Sequence, residues 1–174
     1  MTDPFDFTGK VVLVTGGSRG MGREMVLAFA ARGADEVIAS RKLDNCQAVA
    51  REVEVKGRRG LAVGCNVGNW NEVEALAEAA YTAFAKVDVL INNAGLSPVA
   101  PSSVETSEAL FDKVLGLNFK GPFLLSRRAV DSLAATKGAI VNVSTALTRR
   151  AGAGQNLHYA CAKGAINTFT AGLA

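Results

Sequence analysis

Tyr159 and Lys163 stand four residues apart in Tyr-Ala-Cys-Ala-Lys, and on a helix that spacing puts both on one face, ~5–6 Å apart at Cβ. An ammonium beside a phenol favours the phenolate, so the phenol can pass a proton to or from a carbonyl oxygen. Alone, the pair is a common surface-helix pattern. Three other stretches give it weight. The first is Thr15-Gly16-Gly17-Ser18-Arg19-Gly20-Met21-Gly22, where glycines permit tight turning and close approach of a pyrophosphate. The second is Asn92-Asn93-Ala94-Gly95, a polar turn directly after an apolar run. The third is Ser40-Arg41-Lys42, about 20 residues beyond the glycines, where an NAD site places an acid for the ribose 2′-hydroxyl. No acid is present there. Ser40 can hydrogen-bond a 2′-phosphate and Arg41 can pair with it as a fork, with Arg19 approaching from the other side. NADP(H) is therefore favoured over NAD(H).

These residues need elements that end beside one another. Val11–Val14 is a β-branched apolar run suited to a strand buried on both faces, and 20–32 is rich in helix formers. Strand, glycine turn and helix form the context of a dinucleotide loop. The alternation continues with strands at 36–40, 61–66, 87–91 and 139–143. Helices are expected at 43–56, 70–85 and 103–136, the last bent or interrupted by Gly116, Gly121 and Pro122. Asn69 is placed as an N-cap. A loop at 146–156 precedes a final helix from about 157. This is an α/β, Rossmann-type doubly wound parallel sheet of order 3-2-1-4-5, from right-handed crossovers. His158 falls about 100° from Tyr159 on the helix and reads as a surface residue.

Together, T-G-x-x-x-G-x-G, N-N-A-G and Y-x-x-x-K in this order make the chain similar to the short-chain dehydrogenase/reductase family, of the single-domain, three-oxoacyl-reductase-like type. The resemblance implies a Ser-Tyr-Lys triad extended by an Asn. Tyr159 would be the proton donor or acceptor, and Lys163 would assist it and hold the nicotinamide ribose. Asn118 would support a proton-relay water. The family's Ser-Ser after the fifth strand is here Ser144-Thr145. Thr145 takes the catalytic register, 14 residues before Tyr159, with a β-branch that restricts χ1; Ser144 is the alternative donor, pointed to the opposite face by strand alternation. Asn66 stands where the family has Asp near the adenine, and Asp88 fits the acid of the fourth strand. Cofactor contacts are expected from Gly16, Ser18, Arg19, Gly20, Met21 and Gly22, from Ser40 and Arg41, and from Asn66 and Val67. Asn93, Ala94, Gly95, Tyr159 and Lys163 complete them. The expected chemistry is hydride transfer between nicotinamide and a small-molecule carbonyl or secondary alcohol; the alternative is a non-catalytic or truncated dinucleotide-binding module.

The chain has 174 residues, 49% hydrophobic and 20% charged, with net charge +3, one globular domain's worth. The excess positive charge is too mild and scattered for nucleic-acid binding, and no apolar run nears the ~20 residues of a membrane span. Pairs such as Arg58-Arg59, Arg127-Arg128 and Arg149-Arg150 read as solvated charges. Cys46, Cys65 and Cys161 lack metal-ligand spacing, so no metal is expected, and they read as reduced thiols of a cytoplasmic protein. A sixth strand ordinarily completes the fold. Residues 1–174 therefore read as a single NAD(P)-binding domain lacking its C-terminal substrate-binding part, expected alone to bind NADPH weakly with negligible turnover, and a homo-oligomer in full-length form.

Overall fold

A computed structural model describes residues 3–174 apart from Ala151 and Ala153. Five parallel strands run in the order β3-β2-β1-β4-β5: β1 (Val11–Thr15), β2 (Asp35–Ser40), β3 (Gly60–Gly64), β4 (Val89–Asn92) and β5 (Ala139–Asn142). Helices α1 (Gly20–Ala30), α2 (Leu43–Val55) and α3 (Trp70–Phe84) alternate with the first four strands. Then come α4 (Glu108–Leu115), a π-helical turn (Gly116–Lys120) and α5 (Gly121–Thr136), and α6 (Leu157–Leu173) follows β5. No helix among the described residues is long and apolar enough to cross a membrane.

The central strands β1, β2 and β4 are buried on both faces, as parallel strands between helices must be, whereas β3 and β5 at the sheet edges are only half-buried. Val11 and Leu13 of β1, with Val37, Ala39 and Leu90, pack under α3 and α5. Val12 and Val14, with Ile38 and Ile91, pack under α1 and α2. Successive side chains of one strand thus feed two cores, the basis of a doubly wound sheet. At the lower end, buried Asp88 accepts the Val11 N–H at 2.9 Å and ion pairs with Lys10 at 3.2 Å and Lys86 at 3.0 Å. Burial raises its pKa, but these bonds outweigh that and hold the carboxyl below the usual range.

Four expectations need correction. The helix expected from 103 begins at Glu108, where Ser107 caps it by accepting the Leu110 N–H at 3.3 Å. Its interruption is the π turn, whereas Pro122 lies in the first turn of α5, where a missing N–H costs little. β3 stops at Gly64, because Asn66 turns the chain by accepting the Gly68 N–H at 3.2 Å. His158 is buried, not on the surface: the loop after β4 folds over α6, and His158 Nε2 lies 3.1 Å from the Pro98 carbonyl oxygen. Asn69 does cap α3, accepting from the Asn71 and Glu72 N–H groups, and the Arg127-Arg128 pair makes ion pairs with Glu74.

Candidate active site

The C-terminal ends of parallel strands gather the predicted residues on one edge, where open α/β sheets take ligands. β1 delivers the glycine turn. Gly16 has φ +67, and a Cβ there would lie 2.9 Å from Asn93 Nδ2 and 3.0 Å from the Ala94 Cα. A Cβ on Gly22 would run into the Gly16 carbonyl oxygen. The backbone is therefore packed too closely for any side chain at either glycine. Arg19, the residue before α1, is extended and its side chain makes no capping bond. The first N–H groups of α1 keep no side-chain partner, leaving them and the helix dipole for an anion.

N-N-A-G is stitched to this turn by one hydroxyl. Thr15 Oγ1 accepts the N–H groups of Asn93 and Ala94, each at 3.1 Å, and donates to the Ile91 carbonyl at 3.3 Å. Asn93 Nδ2 donates to the Thr15 carbonyl at 2.9 Å. From sequence Thr15 is only the first residue of the glycine motif; its hold on N-N-A-G was not foreseen.

A cleft of about 750 Å³ opens between these ends. It is lined by Gly16, Ser18, Arg19, Gly20, Met21 and Gly22, by Ser40 and Arg41, by Asn66 and Val67, and by Asn93, Ala94 and Gly95. All the cofactor residues expected from sequence are there except Tyr159 and Lys163, which lie beyond it toward β5. Lys42 and Asn45 also line it and were not foreseen. They follow Arg41 across the start of α2, and that adjacency was the available signal. Among the described residues, Arg19, Arg41 and Lys42 enter no ion pair. Three cations without an ion-pair partner among the described residues thus face one cleft with the Ser40 hydroxyl.

Asn118 is fully buried in the π turn. Its Nδ2 donates to the carbonyls of Leu96 at 2.8 Å and Val114 at 2.9 Å, and its Oδ1 accepts the Leu96 N–H at 3.3 Å. The side chain therefore pins the strand-four loop where Leu96 lines the cleft. An extra residue in a helical turn is a recurrent feature of functional sites.

Tyr159 and Lys163 share one face of α6, with the ammonium 6.0 Å from the phenol ring centroid. Lys163 is 3% exposed, its Nζ donates to the Val143 carbonyl at 2.7 Å, and burial pushes its pKa down to about 8. The two candidate hydroxyls are used differently. Ser144 Oγ donates to the Lys163 carbonyl at 3.5 Å, so it is turned into α6. Thr145 Oγ1 accepts the Leu147 N–H at 3.3 Å, which fixes the oxygen and leaves its own proton free to donate.

A family model described as short chain dehydrogenase matches residues 10–174. The L-fucose dehydrogenase of Bos taurus is 35% identical over 168 residues, 97% of this chain and 60% of that protein. The 2-dehydro-3-deoxy-D-gluconate 5-dehydrogenase of Pseudoalteromonas atlantica is 35% identical over 99% of this chain and 68% of its own length. Among solved structures, a blue fluorescent protein from a metagenomic library, in complex with NADPH, superposes with TM-score 0.91 at 34% identity. It is matched over 97% of this chain and 69% of its own. A short chain dehydrogenase of Burkholderia cenocepacia J2315, in complex with NADP, has TM-score 0.91 at 31% identity, over 97% and 68%. The chain spans about 60% of the length of the L-fucose dehydrogenases it matches. The family match runs through the glycine turn, N-N-A-G and the Tyr159–Lys163 helix alike, and by it the chain belongs to the short chain dehydrogenase family.

Proposed function

We propose that this chain is the cofactor-binding and proton-transfer part of an NADP(H)-dependent oxidoreductase acting on a small-molecule carbonyl or secondary alcohol. The observation that carries the reading is the pairing of Tyr159 with a buried lysine, in a chain whose glycine cradle admits no Cβ. When bound, the nicotinamide supplies or accepts the hydride, and the protein supplies orientation and electrostatics.

The residues fit a dinucleotide. The glycine turn and the uncapped α1 N-terminus suit a pyrophosphate, and the cleft has the volume of a ligand site. The choice of NADP(H) rests on Ser40, Arg41 and Arg19, which the cleft supplements with Lys42 and Asn45. The related structures solved with NADPH or NADP support it. An acid at the end of β2 would repel a 2′-phosphate; a serine beside unpaired cations receives it.

In the reducing direction the Tyr159 hydroxyl gives its proton to the carbonyl oxygen, and in oxidation the phenolate takes it back. Thr145 donates a hydrogen bond to that same oxygen, since its own oxygen is already anchored by Leu147. Lys163, held by the Val143 carbonyl, keeps a positive charge beside the phenol, and its other N–H groups would hold the nicotinamide ribose. Asn118 holds Leu96 at the cleft wall and, in the role implied by the family, supports the relay water. The test is steady-state turnover of a panel of ketones and secondary alcohols with NADPH and NADH. Turnover that depends on NADPH supports the reading; tight NADPH binding without turnover in either direction leaves a cofactor-binding module instead.

A further inference from the structure

A line of side chains ties α6 to the sheet beside Lys163. Asn92, 3% exposed at the end of β4, donates from Nδ2 to Ser126 Oγ of α5 at 3.2 Å and to Asn142 Oδ1 of β5 at 2.8 Å. Asn142 Nδ2 in turn donates to Thr170 Oγ1 of α6 at 2.9 Å, and that hydroxyl gives its proton to the Ile166 carbonyl at 2.7 Å. The next residue along the chain, Val143, gives its N–H to the Asn92 carbonyl at 3.0 Å and takes the Lys163 ammonium on its own carbonyl at 2.7 Å. Thr170 lies seven residues after Lys163, two helical turns or ~10.5 Å along the same face. α6 is thus gripped twice by adjacent residues of one strand end, through Thr170 and through Lys163.

We propose that the Asn92–Asn142–Thr170 chain is a positioning clasp that sets the register of α6 on β5 and so aims the Lys163 ammonium at the Val143 carbonyl. It rests on the oxidoreductase reading only in what the aimed ammonium is for. Without the clasp, the polar contacts left between α6 and this strand end are the Lys163 ammonium on the Val143 carbonyl at 2.7 Å and the long, 3.5 Å bond from Ser144 Oγ to the Lys163 carbonyl. A single charge-assisted bond at the end of a four-carbon stem holds position poorly. With it, one ammonium N–H is spent on Val143 and the rest are directed outward as a fixed set. Thr170 and Asn142 are positioning residues; neither touches a reacting atom.

The test is site-resolved reductive methylation of lysines by formaldehyde and cyanoborohydride under native conditions, read by mass spectrometry, in the parent, Thr170→Val, Thr170→Ser and Asn142→Ala. Thr170→Val removes only a hydroxyl from an exposed helix position and so keeps the fold. The expected result is Lys163 labelling about fivefold faster in Thr170→Val, the worth of one neutral hydrogen bond. Asn142→Ala should match or exceed it, and Thr170→Ser should return to the parent rate. Lys10 and Lys86, at the opposite end of the sheet, should not change. Unchanged Lys163 labelling in Thr170→Val overturns the proposal, as does an equal rise at Lys10 and Lys86, which would mean general loosening. NADPH titration of the same variants and of Lys163→Ala separates the two readings. If labelling rises as expected while neither Thr170→Val nor Lys163→Ala weakens NADPH, the clasp stands and the lysine's role in the oxidoreductase reading fails.

Discussion

Glu36 is a carboxyl in the wrong solvent. It lies in β2 with register partners Val12 and Gly60, fully buried, on the sheet face it shares with Ile38 under α1 and α2. Neither carboxyl oxygen has a hydrogen-bond partner. Burial, with a smaller push from the adjacent Asp35, raises its pKa from 4.5 to about 9. At pH 7 the folded protein keeps the proton and the unfolded chain releases it, so ionisation is withheld over about 2.5 pH units, about 3 kcal/mol against folding. For a raised folded value, stability is full below 4.5, falls as pH rises from 4.5 to about 9 and is level above. Lys163 runs the other way: its value is lowered to about 8, so its charging penalty is relieved between about 8 and 10.5. Comparing variant with parent cancels that contribution. Glu36→Val has almost the same volume, suits a strand and should be more stable than the parent by about 3 kcal/mol at pH 7. That advantage should grow by about 1.4 kcal/mol per pH unit between pH 5 and 8.5. Glu36→Gln should show the same pH trend with a smaller gain, because its amide stays buried without a partner. Urea titrations at several pH values measure it. An advantage for Glu36→Val that does not change with pH, or a loss of stability, would mean that Glu36 is not a buried carboxyl kept protonated by the fold.

Three further outcomes follow from the site. Arg41→Ala should weaken NADPH about tenfold, the loss of one charge-assisted contact, and leave NADH unchanged in fluorescence titration; equal losses for both would count against the 2′-phosphate assignment. Gly22→Ala should lower the unfolding midpoint and abolish cofactor binding, since its Cβ meets the Gly16 carbonyl; normal binding would contradict the cradle. Thr145→Ser should preserve or raise turnover and Thr145→Ala should cut it about 10²-fold, as for one lost donor at a developing charge. A fall with Ser144→Ala instead would move the role to the neighbour.

The fold was legible because its signals are local. The Val11–Val14 run, the glycine turn that follows it and the strand–helix alternation determine the strand order through the handedness of crossovers. The cleft was legible for a related reason: in a parallel sheet, polar residues just past each strand fall on one edge. What escaped depends on partners far along the chain. Thr15 matters through Ala94, 79 residues away. His158 is buried because the loop at Pro98 returns over it. Glu36 has a charged side chain normally found at the surface, and only the packing of α1 and α2 reveals its burial. The π turn cannot be read from helix formers, and the Asn118 contact with Leu96 that accompanies it joins residues 22 apart. Ser144 also faces away from the expected donor position, though for a reason alternation does not supply: β5 ends at Asn142, and the Lys163 carbonyl receives the serine's proton.

The proposed reaction turns on proton transfer by Tyr159. Its most direct test is Tyr159→Phe beside the parent, assayed for NADPH affinity by fluorescence and for ketone reduction by loss of nicotinamide absorbance. The substitution removes one hydroxyl from a half-buried helix position and leaves the glycine cradle, Arg41 and Lys163 in place. Unchanged NADPH affinity is expected, with turnover reduced by about 10²–10⁴-fold, the contribution of a positioned general acid. Turnover near that of the parent, with affinity intact, would contradict it.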